Sequence, residues 1–205
     1  SYNHFIYSLL YFNCKTMIII VFRNFMCLMG LIFISPLLLI ASIFIFLEDG
    51  LPVFFKQERV GLNKKLFVIY KIRTMKNNSP QDGTHILGKN FTLTIGRIIR
   101  KIKLDEFPQL INVIKGDLNL IGPRPGLQNQ QELYDARSRR NIFDIKPGIS
   151  GLSQVLGYDM SHPIKLAEVD SIYIQYQSLN LDLIILMATF FKYPRKYLRN
   201  KFKIQ

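Results

Sequence analysis

The sequence predicts a mostly helical α/β chain with one small β-hairpin, held to a membrane through its N-terminal part, and three observations predict it. An uncharged run over residues 25–47 is about 23 residues long, roughly 35 Å as a helix and enough to cross a bilayer. Apolar, strand-forming segments at 53–55 and 66–70 are separated by the turn-rich VGLN of residues 60–63, which reads as a hairpin. Beyond residue 90, helical stretches alternate with breaks at Gly116-Asp117, at GPRP (122–125) and at KPG (146–148).

Taking the elements in order, the apolar run carries Ser35-Pro36 at its midpoint, where proline removes a backbone donor and kinks a helix. A single membrane span and a kinked, re-entrant hairpin both remain open on this pattern. Lys15 and Arg23 precede the run, whereas Lys56, Arg59, Lys64, Lys65, Lys71 and Arg73 follow it, so the C-terminal side is expected in the cytoplasm. The run is too long for a cleaved signal peptide and lacks a small-residue cleavage site before Glu48. The chain starts at Ser1 and Met17 opens the hydrophobic stretch, so residues 1–16 are expected to be an N-terminal extension. Residues 17–50 then form the membrane helix, and 51–205 the folded domain.

Within that domain, residues 77–88 (NNSPQDGTHILG) are rich in turn formers and read as a surface loop or lid. Residues 90–103 are helical and basic, 108–114 open another helix, and 128–141 form a polar one. Residues 183–191 are apolar and merge at once into Lys192, Arg195, Lys196, Arg199, Lys201 and Lys203. That pattern suits an amphipathic helix on anionic headgroups, with a plain core helix as the alternative.

Charge narrows the function. Lys and Arg total 27 against 14 Asp and Glu, and the net charge of +13 calls for a polyanionic partner. A nucleic-acid binder would normally interleave exposed aromatics with its basic residues, and it would leave unexplained the acid pair Asp105-Glu106 among arginines and the proline-flanked Arg124. Cys14 and Cys27 lie in the apolar part, as small buried hydrophobes rather than a disulfide. His4, His85 and His162 lack metal-ligand spacing, so any metal must be held by oxygen.

One place pairs carboxylates in a basic, structurally broken setting: Arg97, Arg100, Lys101 and Lys103 lead into Leu104-Asp105-Glu106-Phe107-Pro108. Proline is tolerated in a first helical turn, which puts Asp105 and Glu106 at a helix entrance, where both side chains can converge on one ligand. A carboxylate there can attack phosphorus while its neighbour binds magnesium or places a proton; alone, the pair reads first as a helix cap. Arg124, stiffened between Pro123 and Pro125, suits a guanidinium fork on phosphate, and Lys71 and Arg73 close a predicted strand nearby.

Together these segments resemble the bacterial sugar transferase family, small monotopic phosphoglycosyl transferases. The resemblance is carried by Ser35-Pro36, FKQERVG (55–61), YKIRTM (70–75), GRIIRKIKLDEFPQLINVIKGDLNLIGPRP (96–125) and KPGISGLSQVLG (146–157). It implies a membrane helix that re-enters the same leaflet at the Ser35-Pro36 break, and a domain on the cytoplasmic face of the bacterial inner membrane. It implies a two-step reaction in which Asp105 takes a phosphosugar from a UDP-sugar, releases UMP, and passes the group to polyprenyl phosphate. Magnesium at Asp105 and Glu106, assisted by Arg100 and Arg124, is implied as well. Lys71, Arg73, Gln154, Asp170 and Asp182 are carried over as pocket residues. The partners implied are the two substrates and membrane phospholipid, not nucleic acid, with a homodimer left open. Departures from the family's wording fall at Leu152, where relatives write tryptophan, at Tyr158, where they write arginine, and at Lys103, where serine is usual; the first two imply altered nucleotide-sugar recognition. The competing expectation is a non-catalytic basic adaptor that binds anionic lipid.

Overall fold

The computed structural model describes residues 2–79 and 91–203, with side chains from Met17 onward. Helix α1 (Tyr2–Asp49) runs unbroken through both Met17 and Pro36. The reason it survives the proline is local. Pro36 has no N–H to give the carbonyl of Ile32 four residues back, and the hydroxyl of Ser35 donates to that same carbonyl at 2.8 Å. The expected break at Ser35-Pro36 is therefore not a loss of helix; the serine replaces the hydrogen bond that the proline removes.

From Met17 to Asp49, α1 is long and apolar enough to cross a membrane, and little of it is buried. What is buried forms one stripe. Cys27, Ala41 and Ile45 are covered, with Ile34 and Leu38 packed beside them, at the three- and four-residue spacings that place side chains on one helix face. Gly30 falls in the same stripe, close enough for an added methyl to touch Leu110. Both polar ends are fastened to the folded domain. At one, Arg23 donates to the carbonyl of Val113 at 3.4 Å. At the other, Glu48 accepts from the amides of Thr94 and Ile95 at 2.6 and 3.1 Å, and Asp49 accepts from Arg73 at 2.8 Å and from the amide of Asn77 at 2.8 Å.

After α1 comes the expected hairpin, β1 (Phe54–Val60) paired antiparallel with β2 (Leu66–Ile72), Phe54 opposite Ile72 and Val60 opposite Leu66. Phe55, Gln57 and Arg59 face inward and Phe54, Lys56 and Glu58 outward, the period-two alternation of a half-buried strand. Most of the expected loop at 77–88 lies outside the described residues; Asn77 itself is tied to the end of α1, its side-chain amide donating to the carbonyls of Asp49 and Leu51.

The basic helix is shorter than its pattern, α2 (Thr94–Lys101). Glu48 supplies the cap that α2's own residues lack, the negative charge and acceptor oxygens a helix N-terminus favours. Gly96 is needed there because any side chain would collide with the backbone of Thr74. A 3-10 turn (Leu104–Gln109) then leads into α3 (Leu110–Lys115). Two three-residue strands, β3 (Asn119–Ile121) and β4 (Gly148–Ser150), pair in parallel, an element the sequence did not announce. Between them lie the GPRP loop and α4 (Gln131–Ser138).

The C-terminal part packs α5 (Leu152–Leu156), α6 (Pro163–Tyr176), α7 (Leu179–Phe190) and α8 (Lys192–Phe202) around Leu152, Val169, Tyr173, Ile185 and Leu198. On α7, Leu181, Ile185 and Ala188 are buried, while Leu179, Leu183, Met187 and Phe190 stay exposed, so the helix is apolar on two faces. The core-helix reading of residues 183–191 holds for the inner stripe, and the outer apolar stripe is left uncovered. Helix α8 buries only Pro194 and Leu198 and turns Lys192, Lys196, Lys201 and Tyr193 outward.

Candidate active site

The site is assembled by three pieces of chain that meet beside the end of α1. The 3-10 turn carries Asp105 and Glu106. Leu104 and Pro108 on either side of the pair are buried and anchor it, and Lys103 enters the turn in the left-handed conformation, φ 62°. The hairpin brings Lys71 and Arg73 on β2 and Arg59 on β1. The GPRP loop brings Arg124.

These groups line a cavity of about 700 Å³, together with Pro52, Phe54 and Met75 on its apolar side. Glu106 is its fixed point: one oxygen, Oε1, accepts from Lys71 Nζ at 3.3 Å and from Arg124 at 3.2 Å. Arg100 donates its Nε–H to Thr74 at 2.7 Å, which sets the guanidinium at the cavity edge. Asp105 differs from its neighbour. Among the described residues its carboxylate accepts no side-chain hydrogen bond and forms no ion pair within 4 Å, although Lys71 and Arg100 act on it through space.

The two adjacent carboxyls are pushed in opposite directions. For Glu106, burial works to raise the pKa, but Lys71 and Arg124 outweigh it and hold the group down to about 2. For Asp105, burial raises the pKa and the proximity of Glu106 adds to it, against Lys71 and Arg100. Environments that split a carboxyl pair this way can divide its roles: Glu106 is held ionised as the counter-charge to Lys71 and Arg124, and Asp105 is the more basic of the two and, among the described residues, has no side-chain hydrogen-bond partner. The cations show the strain of the complementary arrangement. Burial and the nearby Arg124 bring the Lys71 ammonium down to about 8, against the pull of Glu106 and Asp105, and burial with Arg124 brings Arg59 down to about 9. Lys71 and Arg124 share a single ionised carboxylate, and Arg59 adds its charge beside both, an excess of positive charge that a polyanionic ligand would relieve.

Of the residues expected at the site, Asp105, Glu106, Lys71, Arg73, Arg100 and Arg124 line this cavity. Arg73 does so with its guanidinium already committed, to Asp49 and to the carbonyl of Gly50 at 2.6 Å, so it ties the end of α1 to β2. Gln154, Asp170 and Asp182 do not line it. Gln154 donates to the carbonyl of Ile149, Asp170 is buried against Arg137 and Ser153, and Asp182 accepts from the Tyr173 hydroxyl at 2.8 Å. The departures Leu152 and Tyr158 are likewise absent from the cavity wall; Leu152 is core and Tyr158 packs against it. Arg59 and Thr74 were not anticipated. The signal for Arg59 was present, since it shares the inward face of β1 with Phe55 and Gln57.

Among the described residues no group of three or more His, Cys, Asp or Glu side chains is assembled. A closed all-protein cage is therefore not on offer, but magnesium is commonly held by one or two carboxylates plus substrate phosphates and water. Asp105, with the Glu106 oxygen that faces neither Lys71 nor Arg124, fits that donor set.

Comparison with known proteins bears on this geometry. The family model for Bacterial sugar transferase matches residues 14–196. The chain belongs to the bacterial sugar transferase family. It is 43% identical over 156 residues to the uncharacterized sugar transferase EpsL of Bacillus subtilis, covering 76% of each chain. It is 40% identical over 162 residues to a UDP-N-acetylgalactosamine-undecaprenyl-phosphate N-acetylgalactosaminephosphotransferase of Aeromonas hydrophila, covering 76% of this chain and 38% of that protein. It is 37% identical over 166 residues to a UDP-glucose:undecaprenyl-phosphate glucose-1-phosphate transferase of Caulobacter vibrioides, covering 76% of this chain and 61% of that one. Membership places the chain among phosphoglycosyl transferase enzymes rather than adaptors.

The shifted Lys71 ammonium gives a direct test of this electrostatic arrangement. Acylation by a small amine reagent, followed by peptide mass spectrometry across pH, should show Lys71 half-reactive near pH 8, against about 10.4 for an ordinary lysine. Glu106→Gln removes the nearest negative charge and should move that midpoint lower; an unchanged midpoint would contradict the pairing.

Proposed function

We propose that this transferase moves a phosphosugar from a UDP-sugar to a polyprenyl phosphate and releases UMP, through a covalent intermediate on Asp105, as the first membrane step of glycan assembly. The observation that carries the reading is the uncommitted Asp105 carboxylate in a cation-rich cavity whose other carboxylate, Glu106, is pinned. The activities for which the Aeromonas and Caulobacter relatives are named support the substrate classes.

In the first step an Asp105 oxygen attacks the β-phosphorus of the donor. The bond from that phosphorus to the bridging oxygen breaks, and UMP leaves with the electron pair. In the second step an oxygen of the acceptor phosphate attacks the same phosphorus, the bond to Asp105 breaks, and the carboxylate is regenerated with no net proton gained or lost. Asp105 Oδ is free to approach in line because no side chain ties it down, which is the positioning phosphoryl transfer demands. Arg124, Lys71 and Arg59 meet the non-bridging oxygens, where charge develops in the transition state. Glu106 stays ionised throughout and keeps Lys71 and Arg124 in place between the two half-reactions. Magnesium bound at Asp105 and Glu106 would supply further neutralisation of the diphosphate.

The membrane reading follows from α1. Its apolar stretch is held at Arg23 and again at Glu48 and Asp49 by one folded body, which favours both ends lying on the side of the bilayer that holds the domain. This supports a helix associated with one leaflet, and the basic residues after it favour the cytoplasmic face of the inner membrane. The uncovered face of α7 and the basic outer face of α8 suit contact with anionic phospholipid.

Two measurements test this. Purified protein with magnesium, polyprenyl phosphate and a panel of UDP-sugars should release UMP and form a lipid-linked sugar; Asp105→Ala should abolish the release and Asp105→Asn reduce it to near background, whereas substantial turnover by either would remove Asp105 as nucleophile. Release of free sugar phosphate without lipid product would mark a hydrolase instead. The sequence contains no tryptophan, so Phe190→Trp places a lone fluorophore on the outer face of α7. Brominated lipid should quench it in vesicles rich in phosphatidylglycerol, and an unquenched signal there would take α7 off the membrane.

A further inference from the structure

Arg124 points a guanidinium at Glu106, yet what fixes its direction lies outside the cavity. The loop that carries it has prolines on both sides, and these contribute no N–H of their own. Four consecutive carbonyls of the loop are nevertheless each satisfied from elsewhere in the molecule: Pro123 by the amide of Gly148 at 2.9 Å, Arg124 by Arg137 at 2.7 Å, Pro125 by Arg59 at 3.3 Å and Gly126 by the amide of Val60 at 3.0 Å. The first and last of these donors are backbone groups, and Arg59 also lines the cavity. Arg137 is the exception: a charged side chain, 2% exposed, that reaches no part of the cavity wall.

Burying Arg137 carries a desolvation cost, which is met by a second arm of the guanidinium on Asp170 at 2.6 Å. Asp170 is 1% exposed and is oriented in turn by the hydroxyl of Ser153, which donates to its other oxygen at 2.8 Å. Even so, the Arg137 Nε–H finds no partner. A buried ion pair with an orphaned donor is a poor way to gain stability, since an apolar replacement of like volume does as well or better. Its distinguishing product is geometric: the free arm of the fork holds the Arg124 carbonyl.

We infer that Arg137, set by Asp170 and Ser153, is a positioning residue for the transfer reaction, acting through the Arg124 backbone to aim the Arg124 guanidinium at Glu106 and the bound phosphates. Ser153 on α5, Asp170 on α6 and Arg137 on α4 thus join the C-terminal helices through Arg124 to Glu106. The same chain gives Asp170, which lies behind the cavity wall, a route to the chemistry without touching substrate.

The inference rests on the transfer reaction proposed above, and a double-mutant cycle on UMP release tests it. Arg137→Lys keeps a positive charge for Asp170 but removes the planar fork whose two nitrogens separately reach Asp170 and the Arg124 carbonyl. It should lower kcat by about tenfold, with a smaller change in KM, and in an Arg124→Ala background it should cost less than about twofold more, because it acts only through Arg124. A full tenfold loss in both backgrounds, or no loss in either, overturns the inference; the first is what a general structural role gives. If Arg137→Lys fails to fold by thermal melting, Asp170→Asn takes its place in the same cycle. If the wild-type protein releases UMP from no UDP-sugar, the proposed reaction fails on its own account, and the cycle is read from affinity for inorganic pyrophosphate. There, losses that multiply between Arg124→Ala and Arg137→Lys, or no wild-type binding, overturn the positioning role.

Discussion

A single carboxylate oxygen, Glu106 Oε1, receives both Lys71 from the hairpin and Arg124 from the GPRP loop at 3.3 and 3.2 Å. Three segments far apart in sequence converge on that atom, and each is braced for it. The 3-10 turn is pinned by buried Leu104 and Pro108, β2 is held by its full register with β1, and the loop has its carbonyls fastened one after another. The cost of gathering cations is visible in Lys71 and Arg59, both drawn below their ordinary range. Glu106 neutralises part of that charge and leaves the rest for a phosphate ligand, while Asp105, one residue earlier, has no side-chain partner among the described residues. The difference between two adjacent acids thus comes from which of them the cations touch directly.

The membrane helix is part of the same construction. Arg73 reads as a phosphate ligand by its place in YKIRTM, but its guanidinium closes on Asp49 and Gly50. Glu48 meanwhile caps α2, the helix that carries Arg100. The end of α1 therefore sets both β2 and α2, and through them two walls of the cavity. On the proposed reading, an apolar helix fixed so closely to the cavity would bring the Asp105 carboxylate near the depth of a lipid phosphate. The Ser35 hydroxyl, by replacing the bond that Pro36 removes, lets that helix remain helical where it is surrounded by exposed apolar side chains.

Much of this was legible in local pattern. The hairpin followed from alternation and a turn signal, the carboxylate pair from its broken, basic setting, and Arg124 from the prolines around it. What was not legible depends on contacts between distant segments. The β3 and β4 strands are three residues each and sit among turn formers, so no period could reveal them. Gln154, Asp170 and Asp182 come to the site only through the family resemblance; the fold shows instead that Gln154 meets the carbonyl of Ile149, Asp170 meets Arg137 and Ser153, and Asp182 meets Tyr173. Conversely, Arg59 looks like a surface charge in FKQERVG until β1 turns it inward beside Arg124.

The central claim is that Asp105 carries the phosphosugar between two half-reactions. It is tested most directly by mixing the protein with a UDP-sugar that it turns over, in the absence of any lipid acceptor, and mapping the quenched protein by peptide mass spectrometry. The account predicts a burst of UMP that matches the protein stoichiometrically, and a phosphosugar adduct on the peptide that contains Asp105, discharged when polyprenyl phosphate is added. UMP formed only once acceptor is present, or an adduct on a different residue, would contradict it.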